Sequence, residues 1–379
     1  MSEKALEGIR VLDLTHAHAG PICTMFMGSM GAEVIKIEPP WGEMTRLFPP
    51  LVKGVSPYFA FLGRAKKGVT LDLKSPRGKE MFLEMVTKAD VVMENFSPGT
   101  MDRLGIGWET LKETNPGIIF ASVSGFGQTG PWKDRRSFDP IAQATSGYMW
   151  LMQDTIDPEG PPVNAPEAIA DTIPGLTCLI GILAALNHKR NTGRGQRVDV
   201  AQMDAMIATM QSFSFWKLAG TTFKNARTSS GMVRVSGLHK ARDGYVMFSL
   251  PAGRITEWLK ERMGVEELSF EGVADWIGDR PVDEVVEILA ETGVPVGRVH
   301  SIEEVFMNEQ AKARDMFVTV DHPTLGEITL PGFPIKFSET PGDNTSPAPL
   351  LGQHNAEVYG ELLGLTGEEV ESLRREGVI

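Results

Sequence analysis

Cysteine, basic charge and long apolar runs are scarce in this sequence, and each scarcity excludes a class of protein. Only Cys23 and Cys178 occur, in separate hydrophobic segments. They make neither a disulfide framework nor a zinc pattern, so buried reduced thiols are expected. The 7 histidines form no H-x-x-x-H or other ligand spacing, and no metal is expected. Lys and Arg number 37 against 49 Asp and Glu, a net charge of −12, which argues against a nucleic-acid partner because such proteins carry a basic face that neutralises phosphates. The longest uncharged apolar run, Gly175 to Asn187, is shorter than the roughly 20 residues of a membrane span. The opening MSEKALEGIR lacks a signal-peptide core. A cytoplasmic protein with no membrane partner is the expectation. Repeats, heptads, a Walker A sequence and a G-x-S-x-G elbow are also missing.

What remains is a chain that folds. The hydrophobic set is 42 % and there are 40 glycines, a normal globular balance and too apolar for disorder. Ile9 to Thr15 reads as a strand running through His16-Ala17-His18-Ala19-Gly20-Pro21 into a helix, Ile22 to Met30, closed by Gly31. Glu33 to Ile37 is the next strand, so strand, helix and strand fall within forty residues, the signature of a parallel crossover. The alternation resumes with a helix at Pro76 to Lys88, a strand at Asp90 to Met93, a helix at Trp108 to Thr114 and a strand at Ile118 to Val123. An open α/β sheet follows. Asp171 to Lys189 reads as a long buried helix, Gln196 to Ala201 as a strand, and Met203 to Leu218 as a Met- and Phe-rich core or interface helix. After about Thr228 the elements shorten into a smaller α+β domain, and the tail ends in one acidic helix, Asn355 to Arg375.

Several motifs carry two readings. Gly125-Phe126-Gly127-Gln128-Thr129-Gly130 is a literal G-x-G-x-x-G after a strand, but a charged loop follows it instead of a helix, so a dinucleotide is not expected. Arg64, Lys66, Lys67, Lys74, Arg77, Lys79, Arg103, Lys133, Arg135 and Arg136 either form a solvated face or converge on one multiply charged anion. Asp171, ahead of Pro174 and an apolar run, is either a helix N-cap or a carboxylate nucleophile in a dry pocket. His16 and His18 flank Ala17 at a strand-to-helix turn, where free N–H groups meet anions, and either fill the turn or contact a ligand.

Taken in order, several blocks resemble the class III CoA-transferase family, the group of formyl-CoA transferase and carnitine CoA-transferase, over nearly the whole chain. They are Gly8 to Thr15 with Ala19-Gly20-Pro21, Gly31 to Pro40, Val69 to Lys74, Ala89 to Gly99, Ser124 to Pro131, Thr192 to Gln196 and Ala348 to His354. The resemblance implies a large Rossmann-like domain with an open parallel sheet, a small α+β domain, and an interlocked homodimer. The expected division is 1–202 for the large CoA-binding domain, 203–227 for a linker helix, 228–315 for the small domain, and 316–379 for a return segment packing on the large one.

The same resemblance makes Asp171 the match to the family's catalytic aspartate and Asp139 a nearby acid with an assisting role. It places His18, Ala19, Leu71, Asp72, Leu73, Lys74, Asn95, Phe96, Arg103 and Arg136 where the family contacts CoA, which favours the convergent reading of the basic cluster. The implied reaction moves CoA from an acyl-CoA thioester to a free carboxylic acid through anhydride and aspartyl-CoA intermediates. CoA is then a co-substrate, and neither ATP nor a metal is needed. Backbone N–H groups of the Gly125 to Gly127 loop or of the helix start are candidate oxyanion donors. The departures bear on the substrate. Gly63-Arg64-Ala65-Lys66 replaces the usual Asn-Arg-Gly-Lys, His18 and Phe48 stand where formyl-CoA transferase has glutamine and tryptophan, and Thr228-Ser229-Ser230-Gly231 is the nearest counterpart of a missing glycine run. These argue against an oxalate-for-formate exchange and leave open other small or dicarboxylic acids, succinate or a relative. Two other readings are an α-methylacyl-CoA racemase, whose proton-moving histidine would be replaced by Phe138, and a non-catalytic acyl-CoA binder.

Overall fold

Six strands, β1 (Arg10–Asp13), β2 (Glu33–Glu38), β3 (Lys67–Thr70), β4 (Val91–Glu94), β5 (Ile119–Ser124) and β6 (Arg197–Ala201), form a sheet in the order β3-β2-β1-β4-β5-β6. Every pairing in it is parallel. The computed structural model describes residues 4–221, 235–249, 254–266 and 268–379; Thr228 to Gly231, singled out above, lie outside them. The chain forms two compact units, Met1–Thr209 with Ala313–Ile379, and Met210–Lys312.

Parallel strands need cover on both faces, and the apolar strand sequences supply it. Neighbours along a strand point to opposite faces. Leu12, Ile35 and Val69 therefore meet one layer, built from Met81, Phe82 and Met85 together with Val358, Tyr359 and Leu362 of the tail. Val11, Val34, Val91 and Ile119 meet the other, which contains Cys23, Met27, Cys178, Leu179 and Ile182. The second layer comprises α1 (Ala19–Ser29) and α4 (Ile169–Thr192), and the first contains α2 (Pro76–Val86); α3 (Asp139–Thr145) precedes α4, and α5 (Gln202–Thr209) follows β6 directly. By length and composition alone α4 is apolar enough to cross a bilayer. In the fold its buried residues pack on the sheet and on α1.

Three elements differ from the sequence reading. Helix α1 starts at Ala19 instead of Ile22, because Pro21 falls in the first turn, where its missing N–H costs nothing. The expected linker helix at 203–227 is, in its described part, two helices, Gln202–Thr209 and Ser212–Ala219. The acidic tail helix is also two, Asn355–Leu363 and Gly367–Arg375, separated by Gly364 at φ +70°. The smaller unit carries an antiparallel sheet of Gly237–Ala241, Gly244–Phe248 and Val296–Arg298, with helices Phe270–Gly278 and Val282–Ala290 contributing Val273, Ile277, Val285 and Leu289 to its core.

The turn after β1 is pinned by buried polar groups. Thr15 donates to Asp13 Oδ1 through its backbone N–H (2.9 Å) and hydroxyl (2.5 Å), while Lys66 Nζ (3.0 Å) and Thr24 Oγ1 (2.7 Å) donate to Oδ2. Lys36 Nζ donates to the Thr15 carbonyl at 2.9 Å. Burial alone would raise the Asp13 carboxyl, but Lys66 and Lys36, with the two threonine bonds, bring it down to about 2. Lys66 is therefore a structural cation, not part of an anion site. Arg64 is too, since its guanidinium donates to the carbonyls of Phe61, Pro331 and Asn344. Lys67 pairs with Glu33 and Glu357. Convergence of the basic cluster is thus partial.

Removing one partner of a buried pair strands the other charge. Lys66→Ala is expected to lose about 3–5 kcal/mol of unfolding free energy, read as a lower urea midpoint.

Candidate active site

The strand order reverses between β1 and β4, and in such sheets the crevice at the carboxyl ends of the two strands receives ligands. Here the turn after β1 holds His16, Ala17 and His18, with Ala17 in the left-handed region at φ +60°. The turn after β4 holds Asn95 and Phe96. Asn95 ties the two together: its Oδ1 accepts from His16 N at 2.9 Å and its Nδ2 donates to His16 O at 2.7 Å. The His16 ring stacks on Phe96 at 5.5 Å.

Two cavities open along this edge. One, about 350 Å³, is lined by His18, Ala19, Asn95, Phe96, Arg136 and Asp171, together with Gly125, Arg135, Phe138 and Gln202. The other, about 390 Å³, is lined by Leu71, Asp72, Leu73 and Lys74, with Trp41. His16, Phe96 and Thr100 border both. Ten of the twelve residues singled out in the sequence therefore lie on one or the other.

Arg103 and Asp139 line neither. Arg103 donates to Thr100 Oγ1 at 2.8 Å and to Pro98 O, beside the shared wall. Asp139 has both oxygens engaged: Oδ1 accepts from Ala170 N at 2.7 Å and Oδ2 from Gln143 Nε2 at 2.6 Å. It caps the start of α4 from outside, and its charge acts on the neighbouring Asp171 carboxyl.

With Asp139 supplying the cap, Asp171 is released from that role. The N-cap of α4 is Ala168, with no side-chain bond, and Asp171 is the third residue of the helix. Its Oδ1 accepts a short hydrogen bond from Gln202 Nε2, and among the described residues no donor reaches Oδ2. Burial first, then the charge of Asp139, pushes its carboxyl up to about 7, against the opposing pull of the Gln202 bond. The residue is 9 % exposed, yet it borders the cavity.

Close packing sets this placement. A Cβ on Gly175 would lie 2.4 Å from the Ala19 carbonyl oxygen and 2.5 Å from Ile22 Cγ2, so only glycine lets α4 meet the start of α1. That approach brings Thr172 Oγ1 within 3.0 Å of His18 Nε2, whose Nδ1 lies 2.9 Å from Tyr58 Oη. Burial pulls His18 down to about 4, so at neutral pH the ring is uncharged, one nitrogen donating and the other accepting. The glycine loop is less available than expected. Gly127 N–H donates to Ser124 Oγ and Gln128 N–H to Asp199 Oδ2, and no helix follows until Asp139.

Gln202, which borders the cavity, and Thr172 and Tyr58, which bond His18, are among the residues that the sequence reading did not assign to the site. Gln202 had a usable signal, a polar side chain at the carboxyl end of a parallel strand. Tyr58 had none.

A family model described as CoA-transferase family III matches residues 6–355. The chain belongs to CoA-transferase family III. It is 37 % identical to the formyl-CoA:oxalate CoA-transferase of Streptomyces coelicolor over the full length of both chains. It is 32 % identical to the succinyl-CoA--D-citramalate CoA-transferase of Chloroflexus aurantiacus, covering 99 % of this chain and 98 % of that one. Among solved structures, a CAIB/BAIF family protein from Brucella suis superposes with a TM-score of 0.83 at 30 % identity, covering 96 % of this chain and all of the other. The transferase thus acts on CoA thioesters, and its fold is the Rossmann-like α/β arrangement expected.

The raised carboxyl of Asp171 costs stability. Its ordinary value is 3.8 and its folded value about 7, so the penalty is full above the folded value and disappears below the ordinary one. Asp171→Asn is expected to be more stable than the parent by about 2–4 kcal/mol near pH 8, with the gain vanishing toward about pH 4, in urea unfolding.

Proposed function

We propose that this transferase moves CoA from a short acyl-CoA to a free dicarboxylic acid through covalent intermediates on Asp171. The observation that carries the reading is a buried carboxylate that does not cap its helix, with one oxygen held and the other unengaged among the described residues. In water a carboxylate is a weak nucleophile; a poorly solvated one has less hydration to lose.

Asp171 Oδ2 attacks the thioester carbonyl carbon, the C–S bond breaks, and CoA leaves as thiolate, giving an acyl-aspartyl anhydride. The thiolate then attacks the aspartyl carbonyl carbon and expels the donor acid as carboxylate, leaving an aspartyl-CoA thioester. An incoming carboxylate reverses the sequence: it displaces the thiolate to form a second anhydride, whose acyl carbon the thiolate attacks. Each step exchanges one leaving group for another of similar activation, so no ATP is consumed.

The cavity at Leu71 to Lys74 suits the nucleotide end of CoA, with Lys74 as a phosphate partner, and the cavity at Asp171 suits the thioester. Arg135 and Arg136 on the second cavity favour anionic substrates, and the named relatives use oxalate or citramalate. Succinyl-CoA is therefore the first donor to test beside formyl-CoA. Phe138 borders the same cavity and cannot move a proton, which weighs against racemisation. A homodimer fits the exposed Ile180 and Leu183 on α4 and Ile207 on α5, apolar residues that a second copy would cover.

Intact-mass spectrometry after mixing with formyl-, acetyl-, oxalyl- and succinyl-CoA, with hydroxylamine trapping, should show an acyl or CoA adduct absent from Asp171→Ala. Adduct formation should rise with pH through about 7, the folded value of the Asp171 carboxyl. No adduct, with solvent deuterium entering the α-carbon of a branched acyl-CoA, would instead favour the racemase.

A further inference from the structure

The Gln202 carboxamide is half used. Its Nε2 donates to Asp171 Oδ1, while its Oε1 is buried with no partner among the described residues. The residue is only 5 % exposed and borders the cavity. An unmatched buried acceptor is costly, and such groups in native proteins call for an explanation. Here the amide is oriented by one contact, to an atom of the nucleophile itself. It is also rigidly delivered. The preceding Ala201 pairs with Ser124 in the sheet, and the following Met203 N–H donates to Gly125 O at 3.2 Å.

We propose that Gln202 is a catalytic residue, the oxyanion donor for attack at the aspartyl carbonyl. The inference rests on the Asp171 reading above and assigns a group to two of its steps. Once Oδ2 has become the bridging oxygen of the anhydride, Oδ1 is the aspartyl carbonyl oxygen. When the CoA thiolate adds to that carbon, the carbonyl electron pair moves onto Oδ1, where Nε2–H already points. As the carbonyl re-forms, the bond from the aspartyl carbon to Oδ2 breaks and the donor acid departs with that pair. The same donor serves when the acceptor carboxylate attacks the aspartyl-CoA thioester and thiolate leaves. Attack at the donor or acceptor acyl carbon places the negative charge on a substrate oxygen instead, beyond this contact. Gln202 thus acts on half of the four displacements.

The division makes the test specific. Gln202→Met keeps the size of the side chain and removes the donor; Gln202→Ala serves if the first variant does not fold, each checked by its thermal melt. Two rates are read with the same acyl-CoA panel: formation of the CoA adduct by intact mass, which needs attack at the aspartyl carbon, and exchange of labelled CoA into acyl-CoA, which needs attack at the donor carbonyl alone. Both are compared on the alkaline plateau, where loss of the hydrogen bond no longer limits ionisation of Asp171. The expected result is CoA-adduct formation slower by about 10²–10³ with exchange retained. Equal slowing of both rates, or wild-type rates for both, would overturn the proposal. Absence of any adduct on the unsubstituted protein would overturn the Asp171 reading itself, and the proposal with it.

Discussion

A carboxyl buried in the first turn of a helix, yet not used to cap it, is the constraint on which this site depends. The first turn leaves backbone N–H groups in need of an acceptor, and a nearby aspartate would ordinarily satisfy one of them. Asp139 does so from another helix, through Ala170 N. That leaves Asp171, among the described residues, with a single side-chain donor, from Gln202, and a carboxyl destabilised by burial and by the neighbouring charge. The nucleophilic role proposed for it rests on what the side chain is denied. The two aspartates differ because, among the described residues, both oxygens of Asp139 accept hydrogen bonds and only one oxygen of Asp171 does.

The rest of the larger unit shapes the crevice that this carboxyl borders. A parallel sheet that reverses order between β1 and β4 opens a crevice at their carboxyl ends, and the Asp13–Lys66 cluster fixes the turn that forms one wall of it. Those cations lie under the site and hold its shape. The cations left to meet an anion are fewer: Lys74 on one cavity, Arg135 and Arg136 on the other. A net charge of −12 is thus compatible with the proposed anionic substrate, since a few well-placed cations suffice at short range.

Much of this was legible in the sequence, for physical reasons that can be named. Continuous apolar strands alternating with helices report a parallel sheet, and Pro76 after Ser75 marks a helix start because Ser75 caps it. The α4 boundary and the candidate nucleophile were legible too, but Asp171 could not be told from an N-cap without knowing that Asp139 reaches Ala170. That contact spans 31 residues and has no local signature. The buried fate of Arg64 and Lys66 was hidden for the same reason, as exposed and buried cations look alike in sequence. Helix breaks at Met210 to Gln211 and at Gly364 were missed because apolar or acidic periodicity continues through them. Gln202 escaped notice because its partner lies on a different element.

Covalent transfer through Asp171 makes one of its oxygens part of the chemistry. The decisive experiment is to turn over an acceptor acid labelled with oxygen-18 in its carboxylate, then digest the protein and weigh the peptide that contains Asp171. Attack of that carboxylate on the aspartyl carbon, followed by thiolate attack on the acyl carbon, leaves one acceptor oxygen on the enzyme. The account predicts oxygen-18 in the Asp171 side chain and one labelled oxygen in the product thioester. Product formation with no label on Asp171 would contradict it.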